Sequence, residues 1–433
     1  MKKVFAVLAL GGALALGMAA CSDNAKLPLS MGIGGAPVLP PPDRRPLPTV
    51  AIAPVEGWAA GERPVPAEGL VVNAFATDLD HPRWMHVLPN GDVLVAETNK
   101  QPHPAGGLRA WAEKQVMALA GAGVPSADRI SLLRDADGDG VAEQRHILLE
   151  DLTSPFGMAL VGDALYVANT DSLMRFPYEM GQTRIDASGE RIADLPAAGT
   201  NRHWTKGLVA GEDGTLYIAV GSDSDHAENG LAAEAGRAMI HALSPGGTLR
   251  PFATGLRNPV GMDFEPQTGT LWTAVNERDE LGGDLVPDYM TSVEEGGFYG
   301  WPWSYYGPNV DPRVTPQRPD LVADAIAPDY ALGAHTASLG LSFASGNRLG
   351  PNFKDGAFIG QHGSWNRKPR SGYRVIFVPF AGGQPAGDPI EVLTGFLVND
   401  RAKGRPVGVE IARDGALLVA DDVGNTIWRV SAP

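Results

Sequence analysis

Short apolar runs alternate with turn residues along most of this chain, and few stretches keep a helical period. One unit recurs. A polar or proline-bearing lead-in opens a short apolar strand, a turn with glycine follows, and a second strand of the L-Y-V-A type returns. The copies are "HPRWMHVLPNGDVLVAET" from His81, "SPFGMALVGDALYVANT" from Ser154 and "HWTKGLVAGEDGTLYIAVG" from His203. They continue with "NPVGMDFEPQTGTLWTAVNE" from Asn258, "LGLSFASGNRLGPNFKDGAFIGQ" from Leu339 and "RPVGVEIARDGALLVADD" from Arg405. Their turns fall at Asn90-Gly91, Gly162-Asp163, Asp213-Gly214, Thr268-Gly269, Asp355-Gly356 and Asp414-Gly415. Six hairpins at this spacing predict an all-β fold, a six-bladed β-propeller, since each blade needs about four short strands. The strand-like "GLVVNAFAT" from Gly69 and the closing "NTIWRVSAP" are expected to pair and close the ring, which removes an exposed edge.

The first 68 residues read differently. Lys2-Lys3, the apolar run Val4 to Gly17 and Met18-Ala19-Ala20 before Cys21 have the order of an export signal with a lipobox-like end. Cys21 is the only cysteine, so it has no disulfide partner within the chain, and lipidation is its expected role. Residues 1–20 are read as a lipoprotein signal peptide and 21–68 as a proline-rich spacer carrying "PVLPPPDRRPLP". The propeller is assigned to 69–433, and the protein to the periplasm, tethered to a membrane only through lipid on Cys21. A formal net charge of −15 argues against nucleic-acid partners and makes any tight cluster of cations informative.

In a hairpin the leading residue of the first strand and the trailing residue of the second share one end. Six such ends crowd around one mouth of a propeller. The leading residues include His81, Ser154, His203, Arg257-Asn258 and Arg405. The trailing ones include Glu97, Asn169-Thr170, Asn276-Glu277-Arg278, His362-Gly363-Ser364 and Asp421-Asp422. The cations Lys206, Arg257, Arg278, Arg367, Lys368, Lys403 and Arg405 fall in or beside this ring, and such convergence suits a ligand with several carboxylates or phosphates. A histidine among cations has its proton affinity lowered, so His203 is a candidate neutral base. No phosphate loop, G-x-S-x-G elbow, zinc-type spacing or C-x-x-C-H haem motif is present.

"RHWTKGLVAGEDGTLYIAVG", "GLRNPVGMDFEPQTGTLWTAVNERDELGGDLVPDY", "GGFYGWP" and "GAFIGQHGSWNR" resemble the soluble quinoprotein sugar dehydrogenases, most closely their L-sorbosone dehydrogenase branch. The resemblance covers nearly all of the chain after residue 68. It implies a propeller holding pyrroloquinoline quinone (PQQ) and Ca²⁺ at its mouth and oxidising an aldose or sugar aldehyde. By position, His203 resembles the family's base, and Arg257 and Asn258 the pair at the quinone and substrate end. Arg405 falls at a PQQ-carboxylate arginine, Lys206 and Arg367 are further cofactor candidates, and Asn276, Glu277 and Arg278 resemble the loop that lends oxygen to calcium. Thr205-Lys206 and Glu277-Arg278 depart from the glucose-oxidising branch, which argues against glucose. With no haem motif in the chain, electrons are expected to pass to an external cytochrome or quinone.

Other features have plainer explanations. "RDADGDGVAEQ" carries Asp135, Asp137 and Asp139 at calcium-loop spacing, but His146 stands where an EF-hand needs glutamate, and two strands joined by a turn fit better. The aromatics Phe298, Tyr299, Trp301, Trp303, Tyr305 and Tyr306 are expected mostly to pack between blades. Asp223 or Asp225 is a candidate substrate contact. The alternatives to a dehydrogenase are a Ca²⁺-dependent propeller lactonase, which needs fewer cations, and a non-catalytic binding propeller.

Overall fold

Near-continuous burial of their second strands packs the recurring hairpins onto their neighbours, and a computed structural model describes residues 25–43, 50–102, 115 and 117–433. The expected signal peptide, residues 1–20, and Cys21 lie outside the described residues. Six antiparallel sheets form six blades. Their innermost strands are Pro82–Val87, Met158–Val161, Lys206–Ala210, Pro259–Phe264, Ser338–Phe343 and Pro406–Ile411. Each innermost strand lies beside that of the next blade, and the sixth returns to the first. The predicted turns hold: Gly91, Gly162, Gly214, Gly269 and Gly415 all have positive φ.

The ring closes as the sequence pattern implies. Val71–Ala76 pairs antiparallel with Thr426–Ser431, setting Val71 opposite Ser431 and Asn73 opposite Arg429. The sixth blade is therefore built from both ends of the propeller sequence.

Close approach of the inner strands explains a repeated glycine. An added Cβ would lie 2.2 Å from the Val260 oxygen at Gly207, 2.4 Å from the Leu341 nitrogen at Gly261 and 2.3 Å from the Val407 oxygen at Gly340. No side chain fits there. The first blade has Trp84 at the matching place, and its ring packs on Phe156 at 4.6 Å between centroids.

Register puts the leading and trailing residues together at one end. Pro82 faces Glu97, Lys206 faces Val220, Pro259 faces Val275, Ser338 faces Gln361 and Pro406 faces Asp421. Distant parts of the chain thus meet at one mouth.

Within the expected spacer, the described residues 25–43 and 50–68 make contacts with the propeller. Ile33–Gly34 pairs with Ala331 and Leu332 at the edge of the fourth blade, and Val65–Pro66 with Leu393 and Thr394 at the edge of the fifth. Between them the Ala51 N–H donates to the Trp365 carbonyl at 2.6 Å, and Val55 bridges Ala402. Proline limits regular structure here, yet apolar residues still find partners: Ala53 is fully buried, and the Trp58 ring stands edge-on to Phe396 and Trp428. This segment is a strap over the mouth loops.

The Asp135 loop joins Arg129–Arg134 to Gln144–Leu149 as expected. Asp135 accepts hydrogen bonds from the Gly138 and Gly140 N–H groups, the ordinary work of a turn aspartate. Of the aromatics from Phe298 onward, Tyr299, Trp301, Tyr305 and Tyr306 are buried.

Candidate active site

His203 sits just before the inner strand of the third blade, half-buried. Its Nδ1 lies 2.8 Å from the Ser222 carbonyl oxygen and 3.0 Å from Ser222 Oγ. A carbonyl only accepts, so in the neutral ring Nδ1 carries the proton and Nε2 keeps its lone pair. Burial, with Arg257 and Arg202 nearby, holds this imidazole well below its usual proton affinity. An imidazole so placed accepts a proton at neutral pH. Asn258 comes close as well, because Gly221 has no side chain: an added Cβ there would meet Asn258 Oδ1 at 2.2 Å and His203 Cβ at 2.5 Å. That Asn258 oxygen is buried with no hydrogen-bond partner.

Arg257 leads into the fourth blade, and Asp225 organises it. Arg257 Nη2 donates to Asp225 Oδ1 at 2.7 Å, while Nη1 donates to the carbonyls of Asn276 and Glu277 at 3.1 and 2.7 Å. Arg278 forms a tight bond to Asp311 and reaches Asp225 Oδ2 at 3.5 Å. Burial alone would raise the Asp225 carboxyl, but Arg257, the bond to His226 and Arg278 outweigh it and hold it well below the usual range. Both arginines on this side have a carboxylate partner.

Across the mouth, Asp422 gathers the first, fifth and sixth blades. Its Oδ2 lies 2.6 Å from Arg83 Nη1, 2.9 Å from His362 Nε2 and 3.5 Å from His81 Nε2. Burial lowers the His81 proton affinity to about 4. Arg83 also lies over the Trp204 ring, 5.5 Å from its centroid, next to His203. That contact joins the first and third blades. Arg405 is almost fully buried: its Nη1 and Nη2 reach the carbonyls of His362 and Ala53, both at 3.3 Å, and its Nε has no partner. Among the described residues no carboxylate lies within ion-pair distance of its guanidinium.

Several sequence assignments need correction. Lys206 is fully buried, its Nζ donates to the Trp204 carbonyl at 3.1 Å, and burial holds it well below its usual proton affinity. An amine turned back onto the Trp204 carbonyl inside the fold is no member of a cationic ring at the mouth. Arg367 is buried too, and its donors are engaged by Gly283, Pro369 and Leu27 carbonyls. Lys403 turns outward to Glu56 and Glu62 on the strap. Asp223 accepts from the Asn201 N–H and from Asn229, so it too serves the loop.

The calcium triplet does not fit a cation. Arg257 takes the carbonyls of Asn276 and Glu277, Asp288 takes the Asn276 amide and the Glu277 N–H, and Arg278 is itself a cation. Burial raises the Glu277 carboxyl to about 7, which opposes the charged form a ligand needs. Asp225, His226 and Glu280 do bring three ligand-type atoms within 4.8 Å, but Asp225 already serves two arginines, and an imidazole suits transition metals better than calcium. By contrast the mouth fits a carboxylate-bearing cofactor, because Arg405 is a buried guanidinium with a bare Nε.

Sequence reading missed Arg83, Ser222, Asp311 and Trp58. Arg83 alone left a signal: it follows Pro82 at the mouth end of an inner strand.

A family model described as a domain of unknown function, DUF7133, matches residues 66–427. An uncharacterized protein of Borreliella burgdorferi is 35% identical over 188 residues, 41% of this chain and 48% of that protein. The chain thus spans about half the length of that relative. The Escherichia coli aldose sugar dehydrogenase YliI is 24% identical over 306 residues, 67% of this chain and 77% of that one. Among solved structures, the holo form of the PQQ domain of pyranose dehydrogenase from Coprinopsis cinerea superposes with a TM-score of 0.67 at 18% identity, covering 85% of this chain and 97% of that one. A Trichoderma reesei family AA12 carbohydrate-active enzyme gives 0.68 at 19% identity, covering 86% and 98%. At such identities the structures show the shared propeller. The named relatives are PQQ-dependent or aldose sugar dehydrogenases, the kinship that the motifs imply.

Proposed function

This chain belongs to the DUF7133 family, and from that premise we propose that it oxidises an aldose or a sugar aldehyde of the sorbosone kind with PQQ as cofactor. One observation carries the reading: an imidazole whose Nδ1 bond leaves Nε2 its lone pair and a buried arginine without a carboxylate partner among the described residues share one propeller mouth. Bound PQQ supplies an ortho-quinone that accepts a hydride. The protein supplies the rest. His203 Nε2 takes the proton of the sugar hydroxyl as general base, and Ser222 holds the ring in the tautomer that allows it. Asn258 offers an unpaired acceptor beside that base, which orients a donor hydroxyl. Arg405 binds a cofactor carboxylate, and Arg83, fixed by Asp422, lines the far wall. No step is assigned to calcium.

The electrons leave to an external cytochrome or quinone, and the same proposal places the protein in the periplasm on a lipid attached to Cys21. The relatives named for aldose and pyranose oxidation support the substrate class. Purified protein is to be mixed with PQQ, followed by cofactor absorbance, and then assayed for sugar-dependent reduction of a dye. Saturable binding and dye reduction are expected. Absence of PQQ binding at micromolar concentration overturns the reading.

A further inference from the structure

We infer that the N-terminal strap is a working wall of the mouth and that Trp58 and Ala53 are positioning residues for Arg405. The inference rests on the reading of Arg405 as a carboxylate partner. The strap holds Arg405 at two points. The Ala53 carbonyl accepts from the guanidinium Nη2 at 3.3 Å. Trp58 Nε1 donates to Asp421 Oδ2 at 2.7 Å, and Asp421 Oδ1 accepts the backbone N–H of Arg405 at 2.7 Å. Tyr373 completes the setting, with the Arg405 guanidinium 4.9 Å above its ring centroid.

Asp421 is held tightly enough to transmit position. It also accepts from Trp428 Nε1 at 3.1 Å and from the Gly424 N–H at 2.8 Å. Gly404 and Gly424 flank it so closely that a Cβ on either would lie 2.1 Å from its Oδ2. The Trp58 ring is seated among Phe396 and Trp428, at 5.6 and 5.4 Å between centroids, so its N–H is aimed by packing.

The strap also sorts the cations of this sector. Glu56 and Glu62 engage Lys403 at 2.7 and 3.0 Å, and Glu56 engages Arg401 at 2.8 Å. Arg370 donates to the Ile52 carbonyl and pairs with Asp400. Arg405 meets carbonyls and the Tyr373 ring but, among the described residues, no carboxylate, which keeps its charge open for an anion in the mouth. A spacer makes no such distinction.

The test is a double-mutant cycle on PQQ affinity in the whole protein, with Trp58→Phe, Arg405→Ala and both together. Trp58→Phe keeps the packing and removes the donor. It is expected to weaken PQQ binding about tenfold, Arg405→Ala about thirtyfold, and the pair no more than Arg405→Ala within about twofold. Lys403→Ala loosens the outer edge of the strap without touching Arg405, and its PQQ affinity is expected to match wild type. Independent, multiplying losses, or wild-type affinity in Trp58→Phe, overturn the inference alone. A wild-type protein that binds no PQQ overturns the underlying reading and this inference with it.

Discussion

The ring of His203 is tethered to the backbone of Ser222 by a 2.8 Å hydrogen bond from Nδ1, which leaves the opposite nitrogen its lone pair. Two residues 19 apart in sequence thereby fix which face of the imidazole is basic.

His203→Gln is expected to retain PQQ and to lose dye reduction by about a hundredfold or more, the usual worth of a general base. Its proton affinity lies well below that of free histidine, so the base stays unprotonated across neutral pH. Wild-type turnover should therefore be flat from pH 8 down to about 6 and fall only in more acid solution. A sharp fall centred near pH 6.5 would contradict the placement of His203 beside Arg257.

Glu277 gives a stability prediction with the opposite sign from an ordinary carboxylate. Its pKa is 4.5 unfolded and about 7 folded, raised by burial. Between those values the folded form holds a proton that the unfolded chain lacks. Its contribution is therefore full in acid and lost as pH rises through about 7, by up to about 3 kcal/mol. Urea unfolding of Glu277→Gln and wild type across pH 4 to 8 should diverge in that window, with the variant gaining relative stability as pH rises.

Lys206→Met tests the reassignment of Lys206 to the interior. Burial holds the amine well below its usual proton affinity, and methionine has similar length, so unfolding free energy should change by less than about 1.5 kcal/mol. PQQ affinity should stay within about twofold, measured by titration. A loss of tenfold or more would return Lys206 to the cofactor ring.

The fold was legible because its repeat is local. Each hairpin announces itself through alternation and a glycine turn, and Gly91, Gly214 and Gly415 take the conformations those turns need. Even ring closure showed in the apolar character of Val71–Ala76 and Thr426–Ser431. The site was legible only as a neighbourhood. Pattern brought His203, Arg257, Asn258 and Arg405 to one end, but direction within that end depends on partners far away in sequence. Lys206 and Arg405 both precede or begin inner strands, yet one folds back on the Trp204 carbonyl and the other faces the strap. Proline density hid the strap, since its contacts follow no period that a sequence displays.

The sixth blade takes its outermost strand from before the first blade, and this has a consequence for how the molecule is made. Until Thr426–Ser431 emerges, Val71–Ala76 has no partner, so a nascent chain carries an open sheet edge through almost the whole of its synthesis. The two ends act as a clasp. A chain cut short by its last eight residues would lose the segment from Thr426 onward, and Trp428 with it, yet keep His203, Arg257, Asn258 and Arg405 in a circle that stays open.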